Sequence, residues 1–70
     1  MYISLNKVSD VKSFVNTALS LSGNITLKSG RYCVDGKSIL GIFSLDLSEP
    51  LELVCEHGQD YAEFSEFEVE

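Results

Sequence analysis

The chain has 70 residues and a formal net charge of −6, with 44% apolar residues, enough for one small domain over residues 1–70 but not for two. Charge is unevenly placed: residues 1–37 hold all five Lys and Arg residues against Asp10 and Asp35, while residues 38–70 hold nine acids and no Lys or Arg. A net-acidic chain gains little from releasing phosphate counterions, which argues against nucleic acid as a partner. Its longest apolar run is three residues, which argues against a membrane partner. No basic segment leads into an apolar one as in a signal peptide, and Cys33 and Cys55 are too few and too far apart for a disulfide framework. A reduced, cytoplasmic setting follows as the expectation, and with one His and two distant Cys no metal or other cofactor is implied.

In chain order, Tyr2-Ile3-Ser4-Leu5 predicts a short strand, with Asn6 as the cap of the helix that follows. Val8, Val11, Val15 and Ala18 recur at helical spacing, with Phe14 widening the stripe and Asp10 suited to the positive end of the helix. The helix should fade over Ser20 to Gly23, where hydroxyls and a left-handed glycine offer a stop. Asn24-Ile25-Thr26-Leu27-Lys28 alternates like a half-buried strand. Ser29-Gly30 reads as a turn, Tyr32-Cys33-Val34 as the partner strand and Asp35-Gly36 as its end. Ser38 stands where a helix N-cap belongs, ahead of a short helix from Ile39 to Phe43.

Ser48-Glu49-Pro50 is a turn, and Leu51, Leu53 and Cys55 alternate with Glu52 and Glu56 as a fourth strand. Tyr61, Phe64 and Phe67 recur at threes in a last helix whose Glu66–Glu70 end should fray. The order βαββαβα predicts an α+β open-faced, two-layer sandwich, a four-stranded antiparallel sheet with helices on one face. Ile42, Leu45 and Leu47 fall to the core, Cys33 and Cys55 read as small buried or half-buried hydrophobes, and Lys12 and Lys28 as solvated surface.

Phe14-Val15-Asn16-Thr17-Ala18, Asn24-Ile25-Thr26-Leu27 and, above all, Gly36-Lys37-Ser38-Ile39-Leu40-Gly41-Ile42-Phe43-Ser44-Leu45 resemble segments of the HPr family. These are the phosphocarrier proteins of the bacterial sugar phosphotransferase system, and the resemblance runs without a gap from about Lys7 to His57. The family's phosphocarrier centre is a Gly-x-His-x-Arg-Pro stretch at the start of the first helix. Here Lys7 stands at the position of the lost histidine, Ser9 at that of the arginine and Asp10 at that of the proline, or else part of that loop is deleted. A lysine ammonium has no lone pair to accept a phosphoryl group at neutral pH, so the family's usual histidine chemistry is not expected. His57 is no substitute: the resemblance places it at the pole opposite the start of the first helix.

The resemblance also implies that Ser38 is a regulatory phosphorylation site, and that Ile39, Leu40 and Phe43 form an apolar patch for protein partners. On spacing alone Ser38 is simply an N-cap and Phe43 simply core. The expectation is a non-catalytic regulatory or adaptor protein, with partners of phosphotransferase or catabolite-control type, a combination also found in the family's regulatory paralogue. The alternatives are a carrier with an atypical acceptor, or a diverged scaffold, which burial of the patch would favour. A short first strand and short last helix cover the core thinly, so a dimer is one way to complete it. Any regulator reaching Ser38 would meet the basic and acidic halves at their junction, with Lys37 alongside.

Overall fold

A computed structural model describes residues 1–69. Its elements are β1 (Tyr2–Ile3), α1 (Val8–Leu19), β2 (Ile25–Ser29), β3 (Tyr32–Asp35), α2 (Ile39–Phe43), β4 (Leu51–Cys55) and a 3₁₀ helix, α3 (Gly58–Phe67). The four strands form one antiparallel sheet in the order β1-β4-β2-β3, and the helices cover one face of it. The expected α+β open-faced sandwich is the architecture observed.

Strand register assigns the two faces. Ile25 lies opposite Cys55, and Leu27 lies between Leu53 and Val34, on the face that meets the helices. The alternate positions form a row across the open face, Tyr2, Glu52, Lys28 and Cys33. In that row Lys28, from the basic half of the sequence, faces Glu52 from the acidic half, a favourable cross-strand pair. Sheet pairing thus interleaves charges that the sequence keeps apart. Gly30 takes φ +60° at the first central position of the two-residue β2–β3 loop, a conformation that fits the twist of the two strands and strains residues that carry a β-carbon.

α1 buries Val11, Phe14, Val15 and Ala18, the i, i+3, i+4, i+7 stripe of an amphipathic helix. Val8, one turn earlier, lies beyond the stripe and is exposed. The α1 cap also differs from expectation. Lys7, not Asn6, is the N-cap residue, and the Asp10 carboxylate accepts the N–H groups of both Asn6 and Lys7 at 3.1 Å. An aspartate in the first turn does from inside the helix what a capping side chain does from outside. At the other end the chain leaves through Ser20 without a left-handed residue. Gly23 gives room there instead: a β-carbon on it would stand 2.5 Å from Cδ2 of His57, whose ring would have to move aside.

The spacing of Tyr61, Phe64 and Phe67 belongs to a 3₁₀ helix, in which residues three apart eclipse one another. Phe64 and Phe67 are buried and close on Phe14, with ring centroids 4.8 and 5.8 Å from it. Truncating Phe14 to alanine would cost about 3–5 kcal/mol. That is comparable to the whole stability of a chain this size, at about 0.05–0.15 kcal/mol per residue. The end of the chain does not fray up to Val69. Ser4 N–H donates to the Phe67 carbonyl, Val69 N–H donates to that of Tyr2, both at 2.9 Å, and Ile3 bridges Glu68. Glu70 lies outside the described residues.

Ile42 and Leu45 are core residues and Leu47 packs half-buried against the core. Cys55 is buried, whereas Cys33 is exposed because its register places it opposite Lys28 on the open face.

Candidate functional site

α2 begins where the sequence places it. Ser38 has an extended backbone (φ −107°, ψ 106°), and its Oγ accepts the Gly41 N–H at 3.2 Å. One donor of the first turn, which the helix itself leaves without a partner, is thereby satisfied. Gly41 lets the turn close tightly: a β-carbon there would lie 3.2 Å from Ser38 Oγ and 3.4 Å from Cβ of Val34 on β3. The Asp35 carbonyl accepts the Ser38 N–H at 3.0 Å, and Asp35 Oδ1 accepts the Lys37 N–H at 2.9 Å. The serine is therefore held from both sides.

Five helical residues cannot all face inward. Ile42 is fully buried and Ile39 half-buried against the core, while Leu40 is 80% exposed and Phe43 42% exposed. Leu40 and Phe43, three apart, lie on one side of the helix. Ser38 is exposed just ahead of them. The expected patch thus divides into one supporting residue, Ile39, and two presented ones. Phe43 is not core.

Lys37 is turned away from its neighbour. Its Nζ donates to the Leu21 carbonyl at 2.8 Å, half-buried, where a cation suits the negative end of α1. This strap fixes the approach to Ser38 against the loop after α1, and no sequence signal announces it. Beyond α2, Asp46 holds its turn by accepting the Ser48 N–H and hydroxyl, and these hydrogen bonds lower the pKa of its carboxyl.

Lys7, which the resemblance sets against the family's histidine unless that loop is shortened, is exposed at the start of α1. Beside the helix start, the Asp10 carboxylate accepts the N–H groups of Asn6 and Lys7 and sets a negative charge where an anion would approach. His57 sits beside Gly23 in the loop after α1, at the other end of that helix. A twelve-residue helix is about 18 Å long, which separates the two positions.

Near α3, burial raises the pKa of the Cys55 thiol, and the charge of Asp60 raises it further. Cys55 N–H donates to Tyr61 Oη at 3.1 Å. Asp60 is buried, and its Oδ2 has no hydrogen-bond partner among the described residues. No sequence signal sets this aspartate apart from the exposed acids around it.

This arrangement, a four-stranded antiparallel sheet with three helices on one face and a short second helix capped by serine, is the HPr-like fold. The chain is similar to a solved structure of Crh, the catabolite repression protein of Bacillus subtilis, with a TM-score of 0.67 at 18% identity over 93% of this chain and 76% of Crh. That crystal structure shows Crh as a domain-swapped, intertwined dimer. No protein-family model and no curated protein sequence matches the chain. Among the described residues, no helix is long and apolar enough to cross a membrane.

Proposed function

We propose that the chain is a non-catalytic HPr-like protein, a cytoplasmic regulatory or adaptor module of phosphotransferase or catabolite-control type. The observation that carries this reading is the presentation of Leu40 and Phe43 on the helix that Ser38 caps, within an HPr-like fold. Partner proteins would bury these two side chains, with Ile39 beneath them as support. Phosphorylation of Ser38 would add about −1.5 to −2 charges at the edge of that patch, next to the first-turn N–H groups of α2. Binding would change by charge at the rim, without a new fold. The regulatory role is the one that the name of Crh suggests for a protein of this shape.

A carrier role with an atypical acceptor is the weaker reading. Lys7 is a cation at neutral pH, and Asp10 places a carboxylate where a phosphoryl group would dock. A diverged scaffold with an unrelated role would not need the exposed pair on α2.

The test is a paired assay on the purified chain. HPr kinase with ATP is expected to label Ser38, and the label is to vanish in Ser38→Ala. Phosphoenolpyruvate with the first enzyme of the phosphotransferase system is expected to leave the chain unlabelled. No Ser38 label under conditions that label a true HPr removes the switch, and acid-labile phosphate from the second route establishes a carrier.

A further inference from the structure

The sheet has two outer strands, and they are treated differently. The outer side of β1 is occupied by residues 67–69 through the Ser4–Phe67 and Val69–Tyr2 hydrogen bonds. β3 pairs only with β2 among the described residues. Its outward backbone groups follow from the ladder. Gly36 N–H donates to the Ile25 carbonyl at 2.7 Å, and bonded and non-bonded pairs alternate in an antiparallel ladder. Thr26–Asp35 and Lys28–Cys33 are then the non-bonded pairs, so Cys33 and Asp35 direct their N–H groups outward. The carbonyl of Cys33 points the same way. Exposed edges of this kind are templates for another strand.

We propose that β3 pairs antiparallel with β3 of a second copy of this chain, across a two-fold axis through Cys33, so that the two sheets become one. The occupant and the register follow from charge. A two-fold axis perpendicular to the sheet keeps each face on its own side, so the axis must pass through a residue and not between two. Centred on Cys33, it sets Arg31 opposite Asp35 of the partner subunit, and Asp35 opposite Arg31 of the partner subunit. Centred on Val34 it would oppose Arg31 to Lys37 of the partner subunit, and centred on Asp35 it would oppose two carboxylates. Centred on Tyr32 it would leave Arg31 facing Cys33 of the partner subunit, with no counter-charge.

Only the Cys33 register is electrostatically self-complementary, and it is also one in which the outward groups of Cys33 meet as a bonded pair. Asp35 Oδ1 accepts the Lys37 N–H, which leaves Oδ2 for the guanidinium. On the helix face this register brings Tyr32, 69% exposed, against Val34 of the partner subunit. A groove of about 320 Å³ lined by Tyr32, Cys33, Val34, Ser44 and Leu45 runs beside the strand and has room for the incoming ring. The dimer exchanges no segment, and it is independent of the reading of Ser38.

Sedimentation equilibrium of the full chain, reduced, from about 10 µM to about 1 mM, tests the dimer. Arg31 lies exposed in the hairpin loop, so Arg31→Glu keeps the fold while placing two carboxylates opposite each other; it is expected to raise the dimer Kd by about tenfold or more. A short bismaleimide is expected to link two copies through Cys33, and Cys33→Ser is to abolish the link. A chain monomeric throughout that range, a dimer indifferent to Arg31→Glu, or one whose Cys33 thiols do not link overturns the proposal.

Discussion

The Oγ of Ser38 and the N–H of Gly41 meet at 3.2 Å, so the atom that a kinase would modify is the atom that caps α2. Ser38→Ala is expected to lower stability by about 1 kcal/mol, the usual cost of losing such a cap. Ser38→Asp is expected to retain most of it, since a carboxylate accepts the same N–H and suits the positive end of the helix. Urea denaturation of the three chains measures the difference. Equal stabilities would mean that the 3.2 Å contact contributes nothing.

Gly36 and Gly58 make a matched pair of substitutions. A β-carbon on Gly36 would stand 2.7 Å from Cγ2 of buried Ile25 and 3.2 Å from the Ile25 carbonyl oxygen, whereas one on Gly58 meets nothing within 4 Å. Gly36→Ala is expected to cost about 1–3 kcal/mol through forced displacement in the core. Gly58→Ala is expected to be neutral or to stabilise by about 0.4–1 kcal/mol, because it restricts the unfolded chain. Thermal and urea unfolding of both variants decide it.

The two cysteines should react at very different rates. Cys33, on the open face, is expected to be alkylated in the native protein, and Cys55 only after unfolding. Burial holds the folded Cys55 pKa above its unfolded value, so the native state resists forming the thiolate. Its contribution to stability is complete below the unfolded thiol pKa and declines as pH rises above it. Asp60→Asn is expected to lower the Cys55 pKa only in part, since burial is the larger cause. Mass spectrometry of timed alkylation measures the first effect, and thiolate ultraviolet absorbance of the folded Cys33→Ser chain across pH measures the second.

Asp46 provides the opposite sign. Its carboxyl titrates below the ordinary aspartate value because Ser48 donates to it through hydroxyl and backbone. The stabilisation is present above the unfolded carboxyl pKa and is lost as pH falls through the folded value. Ser48→Ala removes the larger of the two lowering contacts, so the Asp46 pKa is expected to rise towards normal. Carboxyl-carbon NMR titration of the two chains follows it directly.

Much of this was legible in the sequence, and the residues that were not share a cause. Ser38 as a cap, α2 from Ile39 to Phe43, the β2–β3 hairpin and the buried stripe of α1 all follow from periodicity and turn chemistry, which are local. The resemblance around Gly36–Leu45 points to the HPr-like architecture that is observed, and that architecture leaves Leu40 exposed. What escaped depends on contacts between distant positions. The Lys37–Leu21 strap, the Gly23–His57 contact and the burial of Asp60 arise only when segments far apart in sequence are brought together. Cys33 was misplaced because a four-residue edge strand gives too short a pattern to tell its two faces apart. A spacing of three over Tyr61, Phe64 and Phe67 fits a 3₁₀ helix and one side of an α-helix alike, so the pattern marks a helix without fixing its type.

The pairing of Val69 with Tyr2 and of Ile3 with Glu68 has a practical consequence for handling the molecule. Residues near both ends of the described chain lie on one border of the sheet, and β3 lies on the other, three strand spacings or about 14 Å away. A fluorophore or affinity tag attached at either end therefore reports from the border remote from Cys33. The same closeness makes the fold a candidate for circular permutation, with a short peptide joining residues 1 and 69 and new termini opened in the exposed Ser48–Pro50 connection.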